Sequence, residues 1–309
     1  MKYTLRNYQK QASDAAVRLF TSKADKNGLV ILPTGAGKSL VIADIASRLE
    51  GPLLVFQPSK EILQQNFAKL QSYGIFDCGC YSASVGCKDI NRITFATIGS
   101  VMNHMSDFDC FKNIIIDECH YVNSKAGQYK EFIEAKNRQV VGLTATPYRL
   151  DRAEGGSILK FLTRVRPRIF SKVIYCCQIG ELLSKGYLAD LHYYDLTTLD
   201  LRRVRSNSTG ADYDERSLLA EYERSGFYDK LSNTVVKVLQ PKSGIPRKGV
   251  LVFTAFTREA RQLVDKLQSL GVNAAIVTGE TPKKEREAIL EGFKRREIKV
   301  VANVGVLTT

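Results

Sequence analysis

The chain has 309 residues, 44% of them hydrophobic, enough for about two domains with full cores. No apolar run approaches the roughly 18 residues of a membrane span and the N-terminus, MKYTLRNYQKQA, lacks an apolar signal segment, so a cytoplasmic protein without a membrane partner is expected. The net charge of +13 divides as +5 over 1–150, +2 over 151–240 and +6 over 241–309, which suits either a polyanion held between two domains or a merely basic protein.

Residues 3–20 read as a short entry and a helix that carries Arg6, Tyr8 and Gln9. The Gln9 amide can both donate to and accept from an adenine edge. An apolar run at 29–32 reads as a buried strand, and Pro33-Thr34-Gly35-Ala36-Gly37-Lys38-Ser39 follows it. The segment 40–46 then has the spacing of a helix packed on a sheet. Strand, glycine-rich turn and helix form the context of a phosphate-binding loop. Gly35 and Gly37 let the backbone aim its N–H groups inward, and the helix N-terminus adds partial positive charge. In that reading Lys38 reaches the β- and γ-phosphates of ATP and Ser39 holds Mg²⁺. Leu32 stands where the general pattern has a glycine, so the loop is of the helicase-like kind; an ordinary strand–turn–helix corner is the alternative.

Downstream, 52–56 is a second buried strand, and Ser59 and Lys60 open a helix that runs to Leu70. The Ser59 hydroxyl, Lys60 and free N–H groups suit a nucleic-acid phosphate, or Ser59 simply caps the helix. The same two readings apply to Thr97, after a strand at 92–96. Cys78, Cys80 and Cys87 lack a convincing fourth metal ligand, and seven cysteines without regular spacing argue for reduced thiols over a disulfide framework. A β-branched strand at 113–116 ends in Asp117-Glu118-Cys119-His120. Carboxylates at a strand end near a phosphate loop are the chemistry of nucleotide hydrolysis. Asp117 would hold Mg²⁺, Glu118 would deprotonate the attacking water, and His120 would link the site to the next motif. The strand at 139–143 runs into Thr144, Ala145 and Thr146, a turn suited to sensing the γ-phosphate.

The segments LRNYQ, LPTGAGKS, VFQPSKEI, FATIGSV, DECH and LTATPYR, in this order over 3–149, resemble a superfamily 2 helicase or translocase of the DEAD/DEAH-box group in its DExH form. Within it, the chain is similar to the RadD-like and type III restriction-subunit-like motors. The resemblance implies an α/β fold: a RecA-like P-loop NTPase domain, a parallel sheet with helices on both faces, followed by a partial second RecA-like domain. It implies ATP and Mg²⁺ as cofactors, with Arg6, Gln9 and the loop 33–39 on the nucleotide. Nucleic acid, DNA more than RNA, would cross both domains near Ser59, Lys60, Thr97 and Thr254 in repair or recombination.

The first domain is expected over 1–165, a connecting segment with helices over 166–246 and the opening of the second domain over 247–309. Within the connecting segment, 179–183 reads as a helix, 188–196 as a strand, 200–212 as a mobile arginine-bearing loop, and 214–222 and 227–240 as helices. Strands at 250–253, 273–277 and 298–303 alternate with helices at 258–269 and 283–296, the latter capped by Thr281. VFTAFTREA resembles the family's fourth motif and VANVGVLTT half of its fifth; the sixth, with its arginine finger, is not in 1–309. The resemblance thus implies ATP binding with slow hydrolysis, and a last strand left partly uncovered. Rival readings are a restriction-system subunit that translocates duplex DNA, an ATP-gated binding module, and a P-loop kinase. The spacing from Lys38 to the DECH strand and the TATP turn argue against the kinase.

Overall fold

The structure is a computed structural model that describes residues 4–22, 27–136, 138–153, 156–189, 199–206 and 213–307. It divides into two compact units, 1–191 and 192–309.

In the first unit the order is α1 (Asn7–Thr21), β1 (Gly28–Ile31), α2 (Lys38–Arg48), β2 (Leu53–Phe56), α3 (Lys60–Ser72), β3 (Cys78–Ser82), β4 (Cys87–Lys88), β5 (Ile93–Ala96), α4 (Ile98–Met102), β6 (Asn113–Asp117), α5 (Gln128–Glu134), β7 (Gln139–Thr144), β8 (Tyr148–Ala153), β9 (Gly156–Phe161), β10 (Lys172–Cys176) and α6 (Ile179–Ser184). Eight strands form one sheet in the order β10-β1-β7-β6-β2-β5-β3-β4, parallel except for β4 against β3. Successive side chains on a strand face opposite ways, and here both faces are covered. Val30, Val55 and Ile115 enter the core shared with α1, α2 and α3. Leu29, Leu54, Phe56, Ile114 and Ile116 enter the core on the other face, with Phe132 of α5. Phe56 meets Phe132 edge-on at 5.2 Å between ring centroids. This is why the strands read as continuous apolar runs without alternation.

Several features differ from the sequence reading. β10 pairs with β1 at the sheet edge, so the first sheet takes in residues beyond 165. The hairpin β8–β9 and the strand β3 were absent from the expected elements. Cys80 and Cys87 are joined by a disulfide, which corrects the reduced-thiol expectation for these two. The antiparallel β3–β4 pair brings their Cα atoms to 5.6 Å, a proximity that cysteine spacing alone does not reveal. The strand expected over 188–196 lies mostly outside the described residues, as does 207–212 of the expected loop; 201–203 form a helical turn.

In the second unit α7 (Glu215–Ser225) and α8 (Phe227–Leu239) precede β11 (Val250–Phe253), α9 (Thr257–Ser269), β12 (Ala274–Val277), α10 (Lys283–Lys294) and β13 (Val300–Asn303). The parallel order is β11-β13-β12. β13 is therefore the central strand and wholly buried, not a partly uncovered one as expected. The exposed apolar side chains of this sheet, Leu251 and Phe253, are on β11 at its edge. Pro282, not Thr281, stands at the N-cap of α10; the Thr281 hydroxyl instead accepts from the Thr278 N–H.

Candidate nucleotide site

The strands β1, β7 and β6 are neighbours, and their register ends them together: Ile31 lies opposite Thr144, and Leu143 opposite Asp117. Everything that follows these strand ends is thereby gathered at one edge of the sheet. In open parallel sheets this carboxyl edge is where ligands bind.

The loop 33–37 turns between β1 and α2 with Gly35 and Gly37 both at φ +81°, a conformation that L side chains rarely adopt. Gly37 is required twice over, because a Cβ there would come within 2.6 Å of Gln9 Nε2. Pro33 C=O accepts from the Ala36 N–H at 3.1 Å, closing the turn. The Ala36 carbonyl in turn accepts from Gln9 Nε2 and the Tyr8 hydroxyl, each at 2.9 Å. Gln9 Oε1 accepts from the Arg6 N–H at 2.9 Å. α1 thus braces the phosphate loop through Gln9, and α1 is itself held on α2 by Ser13 to Asp44 and by Arg48 to Asp14. The Arg6 guanidinium lies 4.0 Å over the Tyr187 ring, a cation–π contact. The Gln9 amide is engaged with protein on both sides, and Arg6 with Tyr187; Thr34 is exposed at the loop tip.

The N-terminus of α2, at Lys38 and Ser39, leaves N–H groups and partial positive charge at the same place. Lys38 Nζ pairs with Glu118 Oε1, and Glu118 Oε2 lies 3.4 Å from His120 Nδ1. Glu118 takes a left-handed conformation, φ +48°, that turns the chain away from β6 immediately after Asp117. Asp117 is only 4% exposed. Burial, opposed by the Lys38 ammonium and reinforced by the Glu118 charge, pushes its carboxyl up to about 6.

Ser39 and Asp117 are joined by a residue that the motif reading did not single out. Ser39 Oγ donates to Asn66 Oδ1 at 2.7 Å, and Asn66 Nδ2 donates to Asp117 Oδ2 at 3.4 Å and Gln57 Oε1 at 3.1 Å. A signal was present: Asn66 lies on the buried stripe of α3 with Leu63 and Leu70, where a polar side chain needs a partner. Tyr187 has no comparable signal, whereas Tyr8 was read as part of the LRNYQ segment without its contact to Ala36.

His120 Nδ1 lies 2.9 Å from Thr144 Oγ1 and 3.2 Å from Thr146 Oγ1. Burial lowers the His120 pKa, so the ring is neutral at physiological pH and its nitrogen can accept from a hydroxyl. Thr144 Oγ1 also accepts from the Thr146 N–H at 3.0 Å. Ala145 lines an apolar cavity of about 500 Å³ with Pro33, Tyr148 and Val173.

The hydroxyl and carboxylate pair of Ser39 and Asp117 suits a hard cation that takes most of its ligands from phosphate and water, as Mg²⁺ does. Among the described residues no group of three or more His, Cys, Asp or Glu forms an all-protein metal cage.

Of the residues expected on nucleic acid, Ser59 caps α3 by accepting from the Ile62 N–H at 3.4 Å, and Lys60 is partly exposed with its ammonium 3.9 Å from Glu61. The Thr97 hydroxyl is tied to Ser82 and Ser100, each at 3.0 Å. β2 and β5 are parallel neighbours, so Ser59 and Thr97 follow adjacent strand ends. Thr254 belongs to the second unit, where its hydroxyl donates to the Asn303 carbonyl at 3.4 Å. No helix among the described residues is long and apolar enough to cross a membrane.

Residues 2–149 match the family described as type III restriction enzyme, res subunit, and residues 231–309 match the helicase conserved C-terminal domain. A "51.5 kDa protein" of a Lactococcus phage is 25% identical over 89% of this chain and 54% of its own length. The "Putative DNA 3'-5' helicase Rad25" of Haloarcula marismortui is 27% identical over 99% of this chain and 45% of its own length. The chain thus spans about half the length of these relatives. The structure of S. cerevisiae Dbp5 bound to RNA and ADP BeF3 matches with a TM-score of 0.52 at 17% identity, over 96% of this chain and 70% of that one, a likeness of fold. The two family matches show a superfamily 2 helicase architecture, with the type III restriction res-subunit match confined to residues 2–149 and the helicase C-terminal match to residues 231–309.

Proposed function

We propose that the chain is the ATP-hydrolysing motor of a DNA helicase or translocase that serves repair or recombination. The observation that carries this reading is the convergence of Lys38 and Ser39, after β1, with Asp117 and Glu118, at the end of β6, the two strands flanking β7. The DNA preference draws on the printed name of the Haloarcula relative.

In this reading Lys38 and Glu118, paired beside the loop, divide the work on the nucleotide. An entering β- or γ-phosphate takes over the Lys38 ammonium, and Glu118 is released to orient and deprotonate the attacking water. Ser39 and Asp117 would hold Mg²⁺, which would neutralise charge developing on the phosphates. The loop N–H groups and the α2 N-terminus receive the phosphate oxygens. His120, bonded to Thr144 and Thr146, transmits a change at Glu118 to the turn after β7. Ser59, Lys60 and Thr97 in one unit and Thr254 in the other contact backbone phosphates, which makes binding largely independent of sequence.

The test is ATP turnover by this chain with and without duplex DNA, single-stranded DNA and RNA. The readout is the ratio, so a low basal rate does not obscure it. Stimulation by DNA above RNA supports the reading, and no stimulation by any nucleic acid contradicts it. The match of residues 2–149 to the res-subunit family favours a second reading, a restriction-system motor that moves along duplex DNA without separating it. Release of a triplex-forming strand without release of a duplex strand would select that second reading.

A further inference from the structure

The Asn66 carboxamide has three polar contacts, and they use its full geometry. Its oxygen accepts from Ser39 Oγ at 2.7 Å, and its nitrogen donates to Asp117 Oδ2 at 3.4 Å and to Gln57 Oε1 at 3.1 Å. An amide offers one acceptor and two donor hydrogens on that nitrogen, and both ends are committed here. Asp117 Oδ1 accepts separately from the Glu118 N–H at 3.0 Å, so the carboxylate is held at both oxygens. Because the Ser39 proton is given to Asn66, the lone pairs of Ser39 remain available for a cation. Asn66 itself is 9% exposed, Asp117 4% and Gln57 1%. Among the described residues the Gln57 Nε2 atom has no hydrogen-bond partner, while Gln57 Oε1 is held by Asn66. The three partners come from α2, β6 and the end of β2, so Asn66 ties these elements together behind the site.

We propose that Asn66 is a positioning residue for the Mg²⁺ site: it sets the Ser39 hydroxyl and the Asp117 carboxylate in the spacing and polarity that the cation needs. This rests on the nucleotide-site reading above. Asn66 does not itself bind nucleotide or metal; it acts through the two groups that do. Partners that orient metal ligands affect metal affinity by roughly 10- to 100-fold when removed. A packing role makes a different prediction. Asn66 shares its stripe with Leu63 and Leu70, so Asn66→Leu preserves apolar packing and removes only the amide.

The experiment is calorimetric titration of ADP into the wild-type chain and into Asn66→Leu, without and with Mg²⁺, alongside thermal unfolding of both. Asn66→Ala is the second variant should Leu not be accommodated. The expected result is ADP affinity in the absence of Mg²⁺ within about twofold of wild type, with the Mg²⁺-dependent gain reduced by roughly tenfold or more. A Mg²⁺-dependent gain equal to wild type in either folded variant overturns the proposal. Equal loss of ADP affinity with and without Mg²⁺ also overturns it, because that is the mark of a general distortion. If the wild type binds ADP with no Mg²⁺-dependent gain, the metal assignment to Ser39 and Asp117 falls and this proposal with it. If the wild type binds no ADP, the nucleotide-site reading fails as well, so the two failures are told apart.

Discussion

Asp117 offers a test that needs no ligand. Its carboxyl is nearly fully buried and pushed up to about 6 against an ordinary value of 3.8, chiefly by burial. Between pH 4 and pH 6 the folded chain therefore holds this proton more tightly than the unfolded chain does. Stability attributable to the group is fully present below about pH 4, falls as pH rises through 6, and is absent above. Two pKa units correspond to about 3 kcal/mol. Asp117→Asn removes the titration. The amide oxygen can still accept from the Glu118 N–H, but the new NH₂ would face the donor Nδ2 of Asn66. That contact offsets part of the gain, so the variant should be more stable than wild type at pH 8 by about 1–2 kcal/mol. The advantage should shrink or reverse at pH 4. The chain has no Trp, so urea unfolding is followed by far-UV circular dichroism, comparing variant with wild type at each pH. A stability difference that stays constant from pH 4 to pH 8 would refute the reasoning.

Glu118→Gln should bind nucleotide as the wild type does and lower single-turnover hydrolysis by about two to four decades, since an amide cannot take the proton; unchanged turnover would show that Glu118 is not the base. Gly37→Ala should lower stability by roughly 1–3 kcal/mol, from the left-handed backbone and from displacement of Gln9 Nε2, and thermal unfolding reads it directly. DNA affinity should fall linearly on a log–log plot against salt, with a slope of about −0.9 per neutralised phosphate, and a flat response in a fluorescence titration would exclude a phosphate-lined groove.

The site was legible where its residues are contiguous. The run 33–39 and the run 117–120 each carry several site residues in one short window, beside an apolar strand that fixes their context. Their meeting depends on the register of β1, β7 and β6, which the order of motifs implies but does not state. The contacts missed lie between residues far apart in sequence: Tyr8 with Ala36, Arg6 with Tyr187, Asn66 with Ser39 and Asp117. Residues 172–176 were not read as a strand although Val173 to Cys176 is an apolar run, because nothing in the sequence shows that a segment beyond the β8–β9 pair returns to pair with β1. β13 was placed last because it comes last, yet strand order in a parallel sheet is set by crossovers rather than by sequence position. The sequence of β8 and β9 mixes charged residues such as Arg149 and Lys160 among apolar ones, which hid their pairing from a reading based on apolar runs.

The central claim is that the loop 33–39 receives the nucleotide phosphates with Lys38 as their principal side-chain partner. The measurement that tests it most directly is the affinity of the chain for Mg²⁺–ADP by calorimetry, for the wild type and for Lys38→Ala, with circular dichroism to show that both are folded. Loss of one charge-assisted contact to phosphate should weaken binding by roughly 10- to 100-fold with the fold unchanged. Equal affinity in the two proteins would contradict the account.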